Sequence, residues 1–366
     1  MAMFCKGLLA EMAEDYEVVA VSSPGRELEE TACREGVRTI AVPMERRISP
    51  LKDMRSLMRL AHLFRKERPD MVHSMTPKAG LLSMMAARMA GVPLRVHTFT
   101  GLLFPTSRGL MRRLLMLTDA LTCAFSTHVM AEGEGVRSDL LCHHITRKDP
   151  RVLGFGNVRG VDLRYYRRTP EVKAAADDIR RSYGERAFVF LFVGRLVRDK
   201  GVEELVTAFC HLQESHPDTH LLLVGDEEDG HNPISDATRR KISEVAHIHP
   251  VGWQTDVRPW YAAADALVLP SYREGFPNVV IEAGAMSLPA IVTDVNGSRE
   301  IVCDKVTGLI VPPRNADKLY AAMRAFAGCV GSLHLMGENA RSRVVARYEQ
   351  RYVRGCLKDF YRDLLG

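Results

Sequence analysis

Four side chains carry the chemistry most readily read from this sequence: Glu274 and Glu282, with seven residues between them, and Arg195 and Lys200, set between Gly194 and Gly201. An arginine grips phosphate oxygens as a planar fork and a lysine as a point charge. Charge builds on a phosphate as a glycosyl bond to it breaks, so two cations there would assist departure as well as binding. Carboxylates repel phosphate but accept hydrogen bonds from hydroxyl groups, which suits them to a sugar. The combination fits a nucleotide sugar. Spacing alone leaves a plainer reading open, with Glu274 a solvated loop residue, Glu282 an ordinary first-turn glutamate, and each cation unremarkable by itself.

The elements that must position these residues are legible around them. Ala266–Leu269 is an apolar run that reads as a buried parallel strand. A polar loop with Glu274, Gly275 and Phe276 follows, then a helix opened by Pro277 and Asn278, with Pro suited to an early position and Asn able to cap. Val279, Val280, Ala283 and Met286 form its apolar stripe, and Leu288-Pro289 end it. A second strand, Ala290–Thr293, leads to a second polar loop over 294–300. Both loops fall at the carboxyl edge of the sheet, where open α/β sheets bind ligands. The helix amino terminus offers unpaired N–H groups and a positive dipole end for a phosphate. Upstream, Phe188–Val193 is a buried strand that delivers Gly194 to Gly201, and a helix over Val202–Gln213 follows. The two glycines let backbone approach a ligand.

The stretch from Pro270 to Glu300 closely resembles the donor-binding segment of the retaining glycosyltransferases of family four. Their motif is Glu, seven residues, Glu, with Gly-Phe-Pro after the first Glu, matched here by Glu274 to Pro277 and Glu282. Arg195 with Lys200 matches the family's diphosphate clamp, and the resemblance extends more loosely over nearly the whole chain. It implies the α/β GT-B fold: two Rossmann-like, doubly wound parallel-sheet domains facing one another across a cleft. It implies a nucleoside diphosphate sugar, UDP-based, on the carboxy-terminal domain. Glu282 then meets the ribose hydroxyls and Glu274 the donor sugar's hydroxyls, with the Gly275-Phe276 backbone near the phosphate. Gly252 to Val257 corresponds to the base-binding loop, which places Trp253 or its neighbours near the uracil. Family members set a histidine at a strand end facing the donor sugar, and His97 is its counterpart. Transfer would retain anomeric configuration, the leaving phosphate helping to deprotonate the acceptor, and no side chain stands out as a covalent nucleophile.

The amino-terminal half alternates strands and helices at a pace that means a parallel, doubly wound sheet. Helices are expected over 1–14, 26–35, 49–68 and 81–90, and strands over 17–22, 39–42, 70–73, 94–97 and 127–131. Family members carry one more strand and a small-residue loop before the first helix, so the expectation is a chain lacking the usual first strand. His97 would end its strand, Lys78 would sit in a loop over 74–80 as an acceptor-phosphate contact, and Glu132 would open another loop at the same edge. Gly101 to Leu121 sets Leu110, Leu114, Leu115, Leu117 and Leu121 beside Arg108, Arg112 and Arg113. That pattern fits an interfacial helix on anionic lipid, or a core helix with a basic solvated face. Val152 to Gly160 imitates a dinucleotide fingerprint, but the polar, aromatic run after it is unlike the apolar helix such a fingerprint opens. By resemblance, this segment marks the passage between domains.

At 366 residues, with 46% hydrophobic and 26% charged content, the chain is ordinary globular material for two domains. The expected division is 1–165 for the acceptor domain, 166–348 for the donor domain, and 349–366 as a helix bracing the first. Residues 1–160 hold 23 Lys/Arg and 17 Asp/Glu, a net of +6, and the remainder carries 27 and 28, a net of −1. A basic half suggests an anionic partner such as a membrane surface, with plain solubility charge as the other reading. No nucleic-acid module accompanies it. The eight scattered Cys read as core residues in a reducing cytosol. The acidic loop 225–230 lacks a fixed ligand spacing, so no essential metal and no tightly bound cofactor are expected.

The expected activity is hexosyl transfer to a lipid-linked or saccharide acceptor in surface polysaccharide synthesis, with a polyprenyl-diphosphate-linked sugar as acceptor. The alternatives are a GT-B sugar-nucleotide epimerase and a non-catalytic sugar-nucleotide-binding subunit. The expected location is cytoplasmic, with a peripheral position on the inner face of the cell membrane as the docking option.

Overall fold

The computed structural model describes residues 6–45, 49–184, 187–228 and 232–366. Residues 1–5 of the expected first helix, and Asp229 and Gly230 of the acidic loop, lie outside the described residues. Internal contacts divide the chain into two units, Met1–Gly160 with Gln350–Gly366, and Val161–Glu349.

In the first unit, α1 (Leu8–Met12), β1 (Val19–Ser22), α2 (Arg26–Glu35), β2 (Arg38–Ala41), α3 (Pro50–Glu67), β3 (Met71–Ser74) and α4 (Pro77–Ala90) follow in order. Next come β4 (Leu94–Phe99), α5 (Gly109–Phe125), β5 (His128–Ala131) and α6 (Glu134–Cys142). All pairings are parallel: β1 with β2 in one sheet, and β3-β4-β5 in another.

Three expectations shift here. The loop over 74–80 ends early, because Pro77 at the first turn suits its fixed φ to starting α4. The loop at 132–135 likewise gives way to α6 at Glu134. β4 runs on to Phe99, so His97 lies inside its strand and not at the end. Gly154 to Gly160 opens no helix: Gly154, Gly156, Asn157 and Gly160 all have positive φ. That excludes the helix-opening geometry of a dinucleotide fingerprint.

The second unit contains α7 (Pro170–Arg181), β6 (Phe188–Val193), α8 (Val202–Gln213), β7 (Thr219–Val224), α9 (Asp236–Glu244), β8 (Ile248–Gly252), α10 (Arg258–Ala263) and β9 (Ala266–Leu269). It continues through α11 (Asn278–Ala285), β10 (Ala290–Thr293), α12 (Ser298–Ile301), β11 (Gly308–Val311), α13 (Ala316–Gly328) and α14 (Val330–Tyr348). Six parallel strands form one sheet in the order β11-β10-β9-β6-β7-β8. β6, β9 and β10 are buried along their whole length. Helices on both faces explain why these strands read as unbroken apolar runs.

Thr169-Pro170 starts a helix: the Thr169 side chain accepts from Val172 N–H at 3.3 Å, and Pro170 opens α7. The loop expected over 294–300 gives way to the short α12 at Ser298. The final helix, α15 (Gln350–Leu365), belongs with the first unit and buries Val353, Leu357, Phe360 and Tyr361 there. They form an i, i+4, i+7, i+8 stripe, of which Leu357, Phe360 and Tyr361 pack with Leu8, Met12, Val96 and Met130.

Candidate functional site

The chain lays β6, β7 and β8 outward to one edge, then returns to place β9 on the other side of β6. Strand order therefore reverses between β6 and β9. In open α/β sheets, ligands bind outside the carboxyl ends of the strands at such a switch point. The loops after the two strands are 194–201 and 270–277, which hold Arg195, Lys200 and Glu274.

Lys200 Nζ lies 2.6 Å from Glu274 Oε1, and both side chains are largely shielded from solvent. Beside them Arg273 pairs with Asp199 at 3.0 Å, and Tyr272 N–H donates to Asp199 O at 2.8 Å. Three contacts thus clamp one loop to the other. Gly201 makes the approach possible: its φ is 72°, and a Cβ there would sit 2.0 Å from Pro270 O. Arg195 reaches out from the same loop and pairs with Glu228, behind β7.

Pro277 occupies the capping position of α11, and Asn278 is its first helical residue, with no side-chain cap bond. This corrects the expectation that Asn278 caps. Pro277 has the extended ψ of 103° that a capping position takes, yet offers no side-chain acceptor to the first-turn N–H groups. Phe276 is buried, edge-on to Tyr348 at 5.5 Å. Gly275 O would lie 2.3 Å from a Cβ at Gly297, so the loop after β10 packs directly on Gly275-Phe276.

Glu282, one turn along α11, is 7% exposed, and the hydroxyl of fully buried Tyr261 donates to its Oε2 at 3.1 Å. Tyr261 is the neighbour of Glu282 that sequence reading missed. In α10 it sits among apolar residues, and nothing in the local pattern signals a polar partner on another helix. Trp253 follows β8, 68% exposed, its N–H donating to Asp226 Oδ1 at 3.0 Å. The acidic loop thus fixes Trp253 and Arg195 through Asp226 and Glu228.

In the first unit, Lys78 stands in the first turn of α4, 2.6 Å from Asp53 Oδ1. His97 is buried beneath α4, its Nδ1 2.8 Å from Ser74 Oγ, where a Cβ at Gly80 would collide with the ring. Burial lowers its pKa to about 3, so it is neutral. Glu132 is also buried, just past β5, its N–H bonded to Phe99 O at 3.0 Å.

Two family models match this chain: the Glycosyl transferase 4-like domain over residues 1–156 and Glycosyl transferases group 1 over residues 176–343. The chain belongs to this family of glycosyltransferases. It is 28% identical over 356 residues to the capsular polysaccharide biosynthesis glycosyltransferase CapM of Staphylococcus aureus, covering 96% of this chain and 91% of CapM. It is 29% identical to the UDP-Gal:alpha-D-GlcNAc-diphosphoundecaprenol alpha-1,3-galactosyltransferase of Escherichia coli, covering 90% and 85% of the two chains. HepE of Anabaena, solved with UDP-glucose, superposes with a TM-score of 0.83 at 18% identity, over 99% of this chain and 96% of HepE. At that identity the likeness establishes the fold, GT-B with two Rossmann-like domains.

In this glycosyltransferase the second unit brings Lys200 and Glu274 into contact, with Arg195 on the same loop as Lys200. Gly194, Gly275, Phe276, Pro277, Asn278 and Glu282 belong to the loops and helix beside them. Lys78, His97 and Glu132 belong to the first unit.

Proposed function

We propose that this glycosyltransferase moves a hexose-type sugar from a UDP-sugar to a polyprenyl-diphosphate-linked sugar in surface polysaccharide synthesis, with retention of configuration. The Lys200–Glu274 pair at the switch point carries the reading. With no donor, each neutralises the other. A donor exchanges that pairing for two better ones: the diphosphate takes Lys200, with Arg195 as a second cation, and a sugar hydroxyl takes Glu274. The uncapped first turn of α11 adds N–H donors to the same anion. Glu282, held by Tyr261, accepts from the ribose hydroxyls, and the Trp253 loop lies against the uracil.

In the transfer, the bond from the sugar's anomeric carbon to the diphosphate oxygen breaks and one to the acceptor oxygen forms. The acceptor's proton passes to the departing phosphate on the same face, and Arg195 and Lys200 stabilise the charge left there. The donor is a substrate, and no tightly bound cofactor or protein-bound metal belongs to this scheme. Lys78 and Glu132 are the acceptor-side candidates. His97, buried and neutral, contributes by holding Ser74 and the start of α4.

The acceptor named for the galactosyltransferase, a GlcNAc-diphosphoundecaprenol, supports the lipid-linked acceptor, and with it a cytoplasmic site at the inner membrane face; the capsular polysaccharide role named for CapM supports the surface polysaccharide setting. The test is turnover of a UDP-sugar with and without a polyprenyl-diphosphate-linked sugar, with anomeric configuration followed by proton NMR. Acceptor-dependent release of UDP and an α product from an α donor are expected. Turnover without acceptor would mean an epimerase, and binding without turnover a sugar-nucleotide-binding subunit.

A further inference from the structure

α5 is apolar on two sides, and only one of them is covered. Leu115, Met116, Ala120 and Cys123 face the core formed with β4, β5 and α6. On the outside, Leu110, Leu114, Leu117 and Leu121 recur at i, i+4, i+7 and i+11, all exposed, Leu110 at 82% and Leu117 at 56%. A water-facing helix normally carries polar residues there. The polar residues it does carry at this end are cations, Arg108, Arg112 and Arg113, while its one acidic residue, Asp119, is buried.

α3 repeats the design. Leu57, Leu60, Ala61 and Phe64 pack into the core with α4, while Leu51, Met54 and Met58 are exposed, Leu51 at 81%. The exposed Arg55 and Arg59 alternate with them. Single exposed apolar residues need no explanation, but two such stripes in one unit do.

Topology brings them to one place. α3 and α5 both pack on α4, which lies between them. In a parallel sheet the helices run opposite to the strands, so all three begin at the carboxyl edge. Leu51 and Met54 at the start of α3, and Leu110 and Met111 at the start of α5, therefore flank the end of α4 that carries Lys78.

We propose that the first unit docks on an anionic bilayer surface through the exposed faces of α3 and α5, the leucines and methionines entering the acyl boundary and the arginines level with the lipid phosphates. The charge distribution selects this occupant over a neutral apolar partner: the net of +6 lies in residues 1–160, and the rest of the chain is −1. Among the described residues no helix is long and apolar enough to cross a membrane, so the contact is interfacial. It deepens the lipid-acceptor reading but rests on these two faces alone, and its test uses no substrate.

The test is flotation of the full chain with phosphatidylcholine vesicles, with and without phosphatidylglycerol. The wild type should bind the anionic vesicles and release at high salt. Leu110→Glu with Leu117→Glu, and separately Leu51→Glu with Met54→Glu, should each weaken binding about ten-fold or more, a loss in line with deleting more than one interfacial contact. Stabilisation by UDP should be unchanged, which separates failure of docking from failure of the donor site. If a leucine variant fails to fold, Arg112→Glu with Arg113→Glu decides, by the same loss of anionic binding. Equal binding to both vesicle types, no binding, or unaffected variants would overturn the proposal. So would a wild-type dimer that the leucine variants dissolve, since that would make the faces an interface between copies.

Discussion

At the scale of single residues, the least expected feature is that Glu282 is set by a tyrosine from another helix. Removing the Tyr261 hydroxyl while keeping its ring leaves the core volume intact and Glu282 without that donor. A net hydrogen bond of this kind contributes about 1 kcal/mol, so Tyr261→Phe should weaken UDP binding about five-fold and reduce discrimination against 2′-deoxy-UDP. Calorimetric titration of both nucleotides checks this, and unchanged discrimination would detach Tyr261 from ribose recognition. His97 makes a separate prediction. Burial takes its pKa from 6.5 to about 3, so the folded chain refuses a proton that the unfolded chain accepts. Its stability contribution is complete above pH 6.5 and is lost as pH falls toward the folded value, at about 1.4 kcal/mol per unit. His97→Gln should therefore lose about 2 kcal/mol less than wild type between pH 7 and pH 5 in urea unfolding. Equal losses would contradict the neutral, buried assignment.

At the scale of elements, the loops after β6 and β9 depend on Gly201. Gly36 has a similar φ of 66° but nothing within 4 Å of a Cβ position, whereas Gly201 would press on Pro270 O. Gly36→Ala should cost only the left-handed strain, about 1–2 kcal/mol. Gly201→Ala should cost more and also weaken UDP binding, because it displaces Lys200. Thermal melts with and without UDP test the pair, and identical behaviour would mean the loop approach has no bearing on the site. These elements were also the most legible. The limits read for Phe188–Val193, Ala266–Leu269 and Ala290–Thr293 are those of β6, β9 and β10, because strands covered on both faces read as nearly unbroken apolar runs. The half-buried strands β1 to β3 shifted by a residue or two, and α7, α9 and α6 were missed where a Thr-Pro, Ser-Asp or Gly-Glu start reads equally well as a loop. The Tyr261–Glu282 contact was not legible at all. It exists only once α10 and α11 are brought together, and local sequence carries no trace of that approach.

At the scale of the whole molecule, the chemistry and the charge are divided between two units. The second holds the switch point and its paired Lys200 and Glu274; the first holds the basic excess and the uncovered faces of α3 and α5. The glycosyltransferase reading requires that the second unit recognise a uridine diphosphate through Arg195, Lys200 and Glu282. Thermal stabilisation by UDP, compared in wild type, Arg195→Ala and Glu282→Ala, tests this most directly. At a hundred times its dissociation constant a ligand stabilises by about 2.7 kcal/mol, a shift of several degrees that both substitutions should abolish or sharply reduce. Stabilisation that survives both substitutions, or that a nicotinamide dinucleotide produces in place of UDP, would contradict the donor site described here.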